Sequence, residues 1–471
     1  MAVWRARLRA GAAALGRPGL DPYWLAAGFF AAFSALSVCL YRRMFAMSWD
    51  LGIFEQAIRS YAHLREPVAD LKGPGTNILG DHFSPITALV APFYRLYPGA
   101  VTLLVVQAGL FALSVVPVTR VAALLLGRWR GLAVGIGYGL SWGLQRAVEF
   151  DFHEICFAVP LLAFALEAII RERWTAAMLW AVPLVFVKED MGATVAAVGA
   201  VITLRTWRSG DARVVPRALG LVVFGVLALV FTLRFAIPHF NATGAYDYWN
   251  KVDGSGEATA TVPVETALRT TLWILLPTTG LLALRSPLLL VAAPTLGWRF
   301  VSHEEHYWGT AWHYSAVLMP VVFLALVDAC ARLRESRFDR LRRYARQAPM
   351  GVAAAGLALT TALPLEQLTD PDFYRKPAQV TAAERALNRI PDGASVEANV
   401  PPISRLTNRC RVFWVTGAKD VVPDYIALSE SADYSQDRLV SYARVLHPSA
   451  RYEFLAEGGG VWIAKRVSPG G

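Results

Sequence analysis

Charge is the first thing this sequence is short of. Only 17% of its 471 residues are Asp, Glu, Lys or Arg, whereas 55% are hydrophobic; soluble globular chains carry about 25% charged residues. A chain dissolved in water along its whole length is therefore excluded, and the length allows one large membrane domain and one small domain. Cysteine is scarce and scattered: Cys39, Cys156, Cys330 and Cys410 show neither metal-binding spacing nor the density of a disulfide framework. Lysine is nearly missing, with six against forty arginines, a bias that reads as GC-rich coding rather than as chemistry. Acids are outnumbered, leaving a net charge of +10. That surplus does not mark a nucleic-acid partner, because the arginines stand in short clusters between apolar runs, as the positive-inside bias of membrane proteins requires.

What the sequence has in abundance is apolar runs. Arg5, Arg7, Arg9 and Arg17 precede a first run from about Tyr23 to Tyr41, which lacks a small-residue cleavage site and reads as an uncleaved signal anchor. Further runs lie near 99–126, 131–148, 155–170, 174–187, 190–205, 214–238, 264–284, 287–300, 310–331 and 348–365. A span needs about 20 residues, so the short runs 174–187 and 287–300 are expected to be broken or tilted. Arginine clusters at Arg171 and Arg173, at Arg205, Arg208, Arg213 and Arg217, and within 331–346 mark cytoplasmic loops. Alternation then places 45–83, Glu149 to Glu154, Lys188 to Asp190, 239–263, 301–309 and everything after 366 outside. A crossing at 84–97 would break that alternation, and Pro85, Pro92 and Pro98 suit a re-entrant or interfacial element. The expected fold is an α-helical polytopic membrane protein with about 11–13 transmembrane segments over residues 1–365.

Past 366 the composition turns polar and proline-rich around short β-rich runs: Ala394 to Val400, Arg411 to Val415, Tyr425 to Ser429, Tyr452 to Leu455 and Val461 to Val467. Helical patterns at Thr381 to Asn388 and Gln436 to Leu446 sit between them. Residues 366–471 are thus expected to form a small extracytoplasmic α/β domain, with Gly458-Gly459-Gly460 as a hairpin turn.

Polar residues gather at the expected outer face. Asp50 opens an amphipathic pattern whose Leu51, Phe54, Ala57 and Ile58 can lie on the membrane; it is either a helix cap or a general base just above the bilayer. In Glu149-Phe150-Asp151-Phe152-His153-Glu154, alternation sets Glu149, Asp151 and His153 on one face if the segment is extended. Lys188-Glu189-Asp190 is either a self-neutralising pair or a functional intramembrane group. The stretch His303-Glu304-Glu305-His306, followed by Trp312-His313-Tyr314, is either an interfacial aromatic belt or part of a site. Five of the eight histidines (His82, His153, His303, His306 and His313) lie in these loops or at their edges. Carboxylates, histidines and a cation on one face suit a reaction between a lipid-anchored phosphate donor and an outside acceptor.

The runs Trp49-Asp50-Leu51-Gly52-Ile53-Phe54-Glu55-Gln56, Asp81-His82-Phe83-Ser84-Pro85, Phe150-Asp151-Phe152-His153 and Lys188-Glu189-Asp190 resemble those of the DUF2079 family of predicted bacterial membrane proteins. The likeness extends to Leu387-Asn388-Arg389-Ile390-Pro391 in the C-terminal part. That family is similar in layout to the GT-C glycosyltransferases, which use polyprenyl-phosphate sugars and carry an acidic base or metal ligand in the first outer loop. The resemblance implies a protein of the bacterial cytoplasmic membrane with Asp50 at the acidic position. Leu51 replaces the second acid of many relatives, leaving Glu55 or Asp81 to supply it.

The expected activity is inverting transfer of a sugar from a polyprenyl-phosphate donor to an extracytoplasmic acceptor (a cell-envelope glycan, lipid or protein). Asp50, Glu55, Asp81 and His82 form the expected catalytic set, and Lys188, Arg146, His313 and Tyr314 the donor-phosphate set. Asp151, His153, Glu154, Glu189, Asp190, His303 and His306 are further site groups. Mg²⁺ or Mn²⁺ on Asp50 and Asp151 is the expected cofactor if one is used. Two alternatives stand: a transporter or flippase of a lipid-linked glycan, and a metal-dependent hydrolase built on His303 and His306 with Asp151 and His153. The C-terminal domain either covers the site and selects the acceptor or stabilises the outer loops; removing residues after about 368 is expected to leave the membrane domain folded. Protease treatment of intact spheroplasts checks the topology: cleavage after 370 is expected without lysis, and protection until lysis would invert it.

Overall fold

A computed structural model describes residues 18–253, 260–430 and 434–467. The arginine cluster at Arg5, Arg7, Arg9 and Arg17 lies outside the described residues. Helices make up most of the chain to Leu387, and a sheet closes it. The runs at Tyr23 to Tyr41, 99–126 and 214–238 become Asp21–Arg42, Ala100–Leu126 and Val215–Phe240, of 22, 27 and 26 residues. At 1.5 Å per residue each can cover a hydrocarbon core of about 30 Å. These three helices are long and apolar enough to cross a membrane, and a fourth counts if Glu305–Ser315 and Leu318–Glu335, bent by 68°, are one span.

The expectation of eleven to thirteen segments counted apolar runs, and most of the other runs fold as two shorter pieces. Trp174–Ala181 tightens into a 3₁₀ turn, Val182–Phe186, at Pro183, and the 3₁₀ turn Pro287–Ala292 precedes Ala293–Val301, which carries Pro294. Proline removes a backbone donor and crowds the preceding turn, so the two short runs are broken as their length implied. At 84–97 two six-residue pieces, Pro85–Val90 and Ala91–Leu96, are each too short to cross. Helix Leu318–Arg332 is buried on every side from Leu318 to Cys330; a helix apolar all round belongs in a core. Met191–Ser209 and Val215–Phe231 approach closely where Gly192 faces Gly225, since a Cβ on Gly192 would come within 2.6 Å of the Gly225 carbonyl oxygen.

The C-terminal sheet has five strands: β1 (Ser395–Ala398), β2 (Arg411–Trp414), β3 (Tyr425–Ser429), β4 (Arg451–Gly458) and β5 (Val461–Val467). Their order is β2-β1-β3-β5-β4, with β1 parallel to β2 and β3, and β5 antiparallel to β3 and β4. Gly459 and Gly460 take φ of +59° and +84° between β4 and β5, the left-handed pair that a tight hairpin needs.

The amphipathic helix Asp50–Ala62 departs from expectation. Its apolar residues do not rest on a membrane surface, because both sides are buried. Leu51, Phe54 and Ile58 join the core of the helical bundle, while Ile53 and Ala57 join a second core with Leu71, Ile78, Val396, Ile403 and Val412. Polar groups stitch the same seam. Gln56 donates to the Val412 carbonyl at 2.8 Å and accepts from the Leu71 amide at 3.1 Å. Arg59 donates to the carbonyls of Thr407 and Cys410, and Arg411 grips Asp70 through two 2.8 Å bonds. This shared core removes the basis for expecting an intact membrane domain without the sheet. A chain ending at 368 would expose Ile53, Leu71 and Ile78, worth about 1.5–3 kcal/mol apiece, and strand Gln56 and Arg59. Size-exclusion of the truncated protein is expected to give aggregate; a monodisperse peak with wild-type heat resistance would show the seam to be dispensable.

Candidate functional site

The Asp50 helix, the turn at Lys72, and the loops around His153, Lys188, Tyr248 and Tyr307 converge at one end of the bundle around a cavity of about 520 Å³. Asp50 stands in the first turn, after Trp49, and makes no capping bond, so the cap reading does not apply. Its carboxylate accepts instead from the Ser48 hydroxyl and faces His153 Nε2 at 3.5 Å. Burial disfavours the Asp50 charge, but the hydrogen bonds from His153 and Ser48 and the charge of Lys72 outweigh it and hold the carboxyl at about 2.

Behind Asp50 the chain turns at Asp151, whose φ of +72° is left-handed. That turn breaks the alternation the sequence suggested: Glu149 ends a helix and pairs with Arg146 at 2.8 Å, while His153 swings under Asp50. Gln107 fixes the turn, donating to the carbonyls of Ala147 and Asp151 and accepting the His153 amide at 3.0 Å. His153 stacks on His313 at 3.7 Å between ring centres, and Phe150 packs against both. Burial, with the Asp50 charge adding to it, pushes the Asp151 carboxyl up to about 8. The two neighbouring carboxyls are thus pushed in opposite directions, Asp50 toward the ionised form and Asp151 toward the protonated one.

Three of the six lysines line this one cavity. Lys188 meets Glu154 at 3.0 Å in the cavity wall rather than its neighbour Glu189, which pairs with His82. Lys72 lies 3.2 Å from Asp81, and Lys251 lies 3.5 Å from Glu304. Both of the latter also stand over the ring of Tyr248, at 5.9 and 5.0 Å from its centre. His82 and the Tyr246 hydroxyl bond one oxygen of Glu189, at 2.9 and 3.1 Å. His153 Nδ1, His313 Nδ1, Glu189 Oε2, Asp190 Oδ1 and Trp298 Nε1 are buried without a protein partner; unpaired buried polar atoms are costly and mark places where a ligand or water can bond. Arg299 supports the wall. Fully buried, it donates to the carbonyls of Tyr307 and Gly309 and to Ser315, holding the 302–315 loop.

Asp50, His82, His153, Glu154, Lys188, Glu189, Asp190, His306, His313 and Tyr314 are thus brought together. Five other expected residues do not line the cavity. Glu55 is fully buried at the seam, bonded by Thr407 and Tyr94, and burial lifts it to about 7. Asp81 sits behind Lys72, Arg146 is spent on Glu149, Asp151 is buried outside the lining, and His303 bonds the Ala260 carbonyl. Among the described residues no three His, Cys, Asp or Glu side chains form a metal-binding set. Of the residues expected to build a hydrolase centre, His153 and His306 line the cavity, whereas His303 and Asp151 stand outside it.

The profile of the family described as "Predicted membrane protein (DUF2079)" matches residues 40–463. The chain belongs to the DUF2079 family. No curated protein matches it in sequence. Its fold is similar to that of ArnT from Cupriavidus metallidurans bound to undecaprenyl phosphate, at 12% identity and a TM-score of 0.56, over 94% of this chain and 98% of that one. ArnT in the apo state matches at 12% identity with a TM-score of 0.49, over 93% and 98%. The fold of this DUF2079 member is accordingly GT-C-like; a shared fold leaves the chemistry to be argued from the site.

Lys72, Lys251, Tyr246 and Tyr248 are site-lining residues that sequence reasoning passed over. For the two lysines the signal was lysine itself, since three of only six in the chain line this cavity. The buried acid Asp151 has a measurable signature. An acid whose folded pKa lies above its unfolded value holds a proton that the unfolded chain has lost, so stability falls as pH rises from about 4 to 8. Asp50 acts oppositely, but its contribution is lost only below about pH 4. Between pH 5 and 8 the apparent Tm is expected to drop by roughly 2–5 °C, and Asp151→Asn should make that slope shallower, leaving the part that the raised Glu55 contributes. An equal slope in the variant would show that Asp151 titrates normally.

Proposed function

We propose that this protein transfers a sugar from a polyprenyl-phosphate donor to an acceptor on the extracytoplasmic side of the bacterial cytoplasmic membrane. The observation that carries the reading is the pair Lys72 and Lys251 on the ring of Tyr248, in a cavity that also presents Asp50. Each lysine has a loosely held acid partner, and each reaches a phenol: Lys72 lies 3.5 Å from the Tyr248 hydroxyl and Lys251 lies 3.4 Å from that of Tyr307. Cations and hydroxyls so grouped suit a phosphodiester, and they gain strength as its charge grows on departure. Leu229, Leu233 and Pro294 form an apolar wall beside them. Leu233 belongs to a π-helical turn, Thr232–Ala236, in a rod only 28% buried, which suits a polyprenyl chain entering from the lipid. The fold likeness to ArnT, whose structure holds undecaprenyl phosphate, supports the same donor class.

In the proposed reaction the acceptor hydroxyl or amine attacks the anomeric carbon opposite the phosphate. The carbon–oxygen bond to phosphate breaks and its electron pair leaves with polyprenyl phosphate, which Lys72 and Lys251 stabilise. The acceptor's proton passes to the ionised Asp50, whose bond to His153 fixes its orientation. The proposed sidedness is supported by helices that start at the cavity and end in arginine: Met191–Ser209 begins beside Asp190 and carries Arg205 and Arg208, and Leu318–Arg332 follows Tyr314 and ends at Arg332. The positive-inside bias favours those ends in the cytoplasm and the cavity outside.

With purified protein and labelled polyprenyl-phosphate sugar, Asp50→Asn is expected to lower turnover by about 10²–10⁴-fold while donor binding stays near wild type. Lys72→Ala and Lys251→Ala should each weaken donor binding by about tenfold. Wild-type protein that binds the donor without ever releasing its sugar would replace the transferase reading with the transporter one.

A further inference from the structure

Gln107 holds the turn behind the Asp50 cavity, and Leu126 lies about 28 Å further along the same helix at 1.5 Å per residue. At that far end a separate cavity of about 290 Å³ is lined by Arg130, Arg334, Arg342 and Arg346 over Leu126, Ala345 and Cys330, with no acid among the lining residues. Five other arginines of this end are matched to carboxylates: Arg205 and Arg332 to Asp328, Arg120 and Arg171 to Glu167, and Arg128 to Asp21. Here the pattern differs. Arg130 donates to the carbonyls of Arg346 and Leu126, and Arg342 to that of Ser336 and to Asp339. The guanidinium groups of Arg334 and Arg346 have neither a hydrogen bond nor an ion pair among the described residues.

Topology alone asks only that arginines lie on the cytoplasmic side; it does not gather four of them around one hollow, where like charges repel. An anion between them removes that repulsion, and the planar guanidinium fork fits a phosphate's oxygens. Exposed apolar residues flank the lining in the chain: Trp129, next to Arg130, is 74% exposed, Leu124, two before Leu126, 63%, and Phe338, four before Arg342, 57%. Such residues sit at the boundary of headgroups and acyl chains, and basic pockets between membrane helices hold anionic headgroups. We propose that this cavity binds the phosphate of an anionic phospholipid in the leaflet opposite the Asp50 cavity.

The test is native mass spectrometry of the full chain in detergent, with phosphatidylglycerol, phosphatidylcholine or inorganic phosphate added in turn. Phosphatidylglycerol is expected to stay bound while phosphatidylcholine does not, and millimolar inorganic phosphate should fail to displace it. Arg334→Gln/Arg346→Gln should weaken phosphatidylglycerol binding by about tenfold or more, two charge-assisted donors being lost. Phosphatidylglycerol should also raise the thermal midpoint of the wild type and leave that of the double variant unmoved. If the glutamine pair does not fold, Arg334→Lys/Arg346→Lys takes its place; it keeps the charge, loses the fork and should bind several-fold more weakly than the wild type. Equal lipid retention by wild type and a folded variant would overturn the site. Displacement by inorganic phosphate at the same concentration would overturn the lipid as its ligand and leave a free-phosphate site.

Discussion

The helix that begins at Asp50 is gripped from two sides, and the geometry of the cavity hangs on that grip. On one side Leu51, Phe54 and Ile58 enter the core of the bundle; on the other Ile53 and Ala57 enter the core of the sheet. Gly52 lets the second contact close, because a Cβ there would collide with Ile403 and Leu71. Trp49 packs edge-on to Trp414 at 4.8 Å just before Asp50. A carboxylate on a helix held this way has little freedom to drift, which is what positioned acid–base chemistry needs. The C-terminal sheet thus bears on the site through the helix it clamps.

The same grip has a polar component that is costly unless complete. Glu55 is buried between the two cores and bonded by Thr407 from the sheet side and Tyr94 from the bundle side. Burial pushes its carboxyl up to about 7, so it can be carried as a neutral acid more cheaply than as an ion. It reads as a tie between two parts of the fold.

Charge in the cavity is arranged for exchange. Lys188, Lys72 and Lys251 each face an acid; isolated buried charges would be prohibitive, whereas paired ones are tolerated at small net gain. Lys188 is the most enclosed, with its side chain 15% exposed, against 22% for Lys72 and 34% for Lys251. The two more open lysines are therefore the ones able to turn from their acids toward a phosphate, and Lys188 holds Glu154 in the wall.

The sequence by itself determined the membrane class, the long spans, the five strands and most of the polar loops, because each is a local property. Run length, two-residue alternation and turn glycines are written in neighbouring residues, and so the strand Tyr425–Ser429 and the helix Gln436–Leu446 stand where the pattern puts them. Tertiary structure alone decided which polar residues meet. Asp151 breaks the alternation with a left-handed φ in a turn that Gln107 clamps, and Arg146 and Glu55 find partners that take them out of the cavity. Lys72 and Lys251 lie 179 positions apart in the chain yet share one tyrosine ring. No local pattern encodes such a meeting, since it arises when helices and a sheet bury their apolar faces together and bring the loops between them to one place.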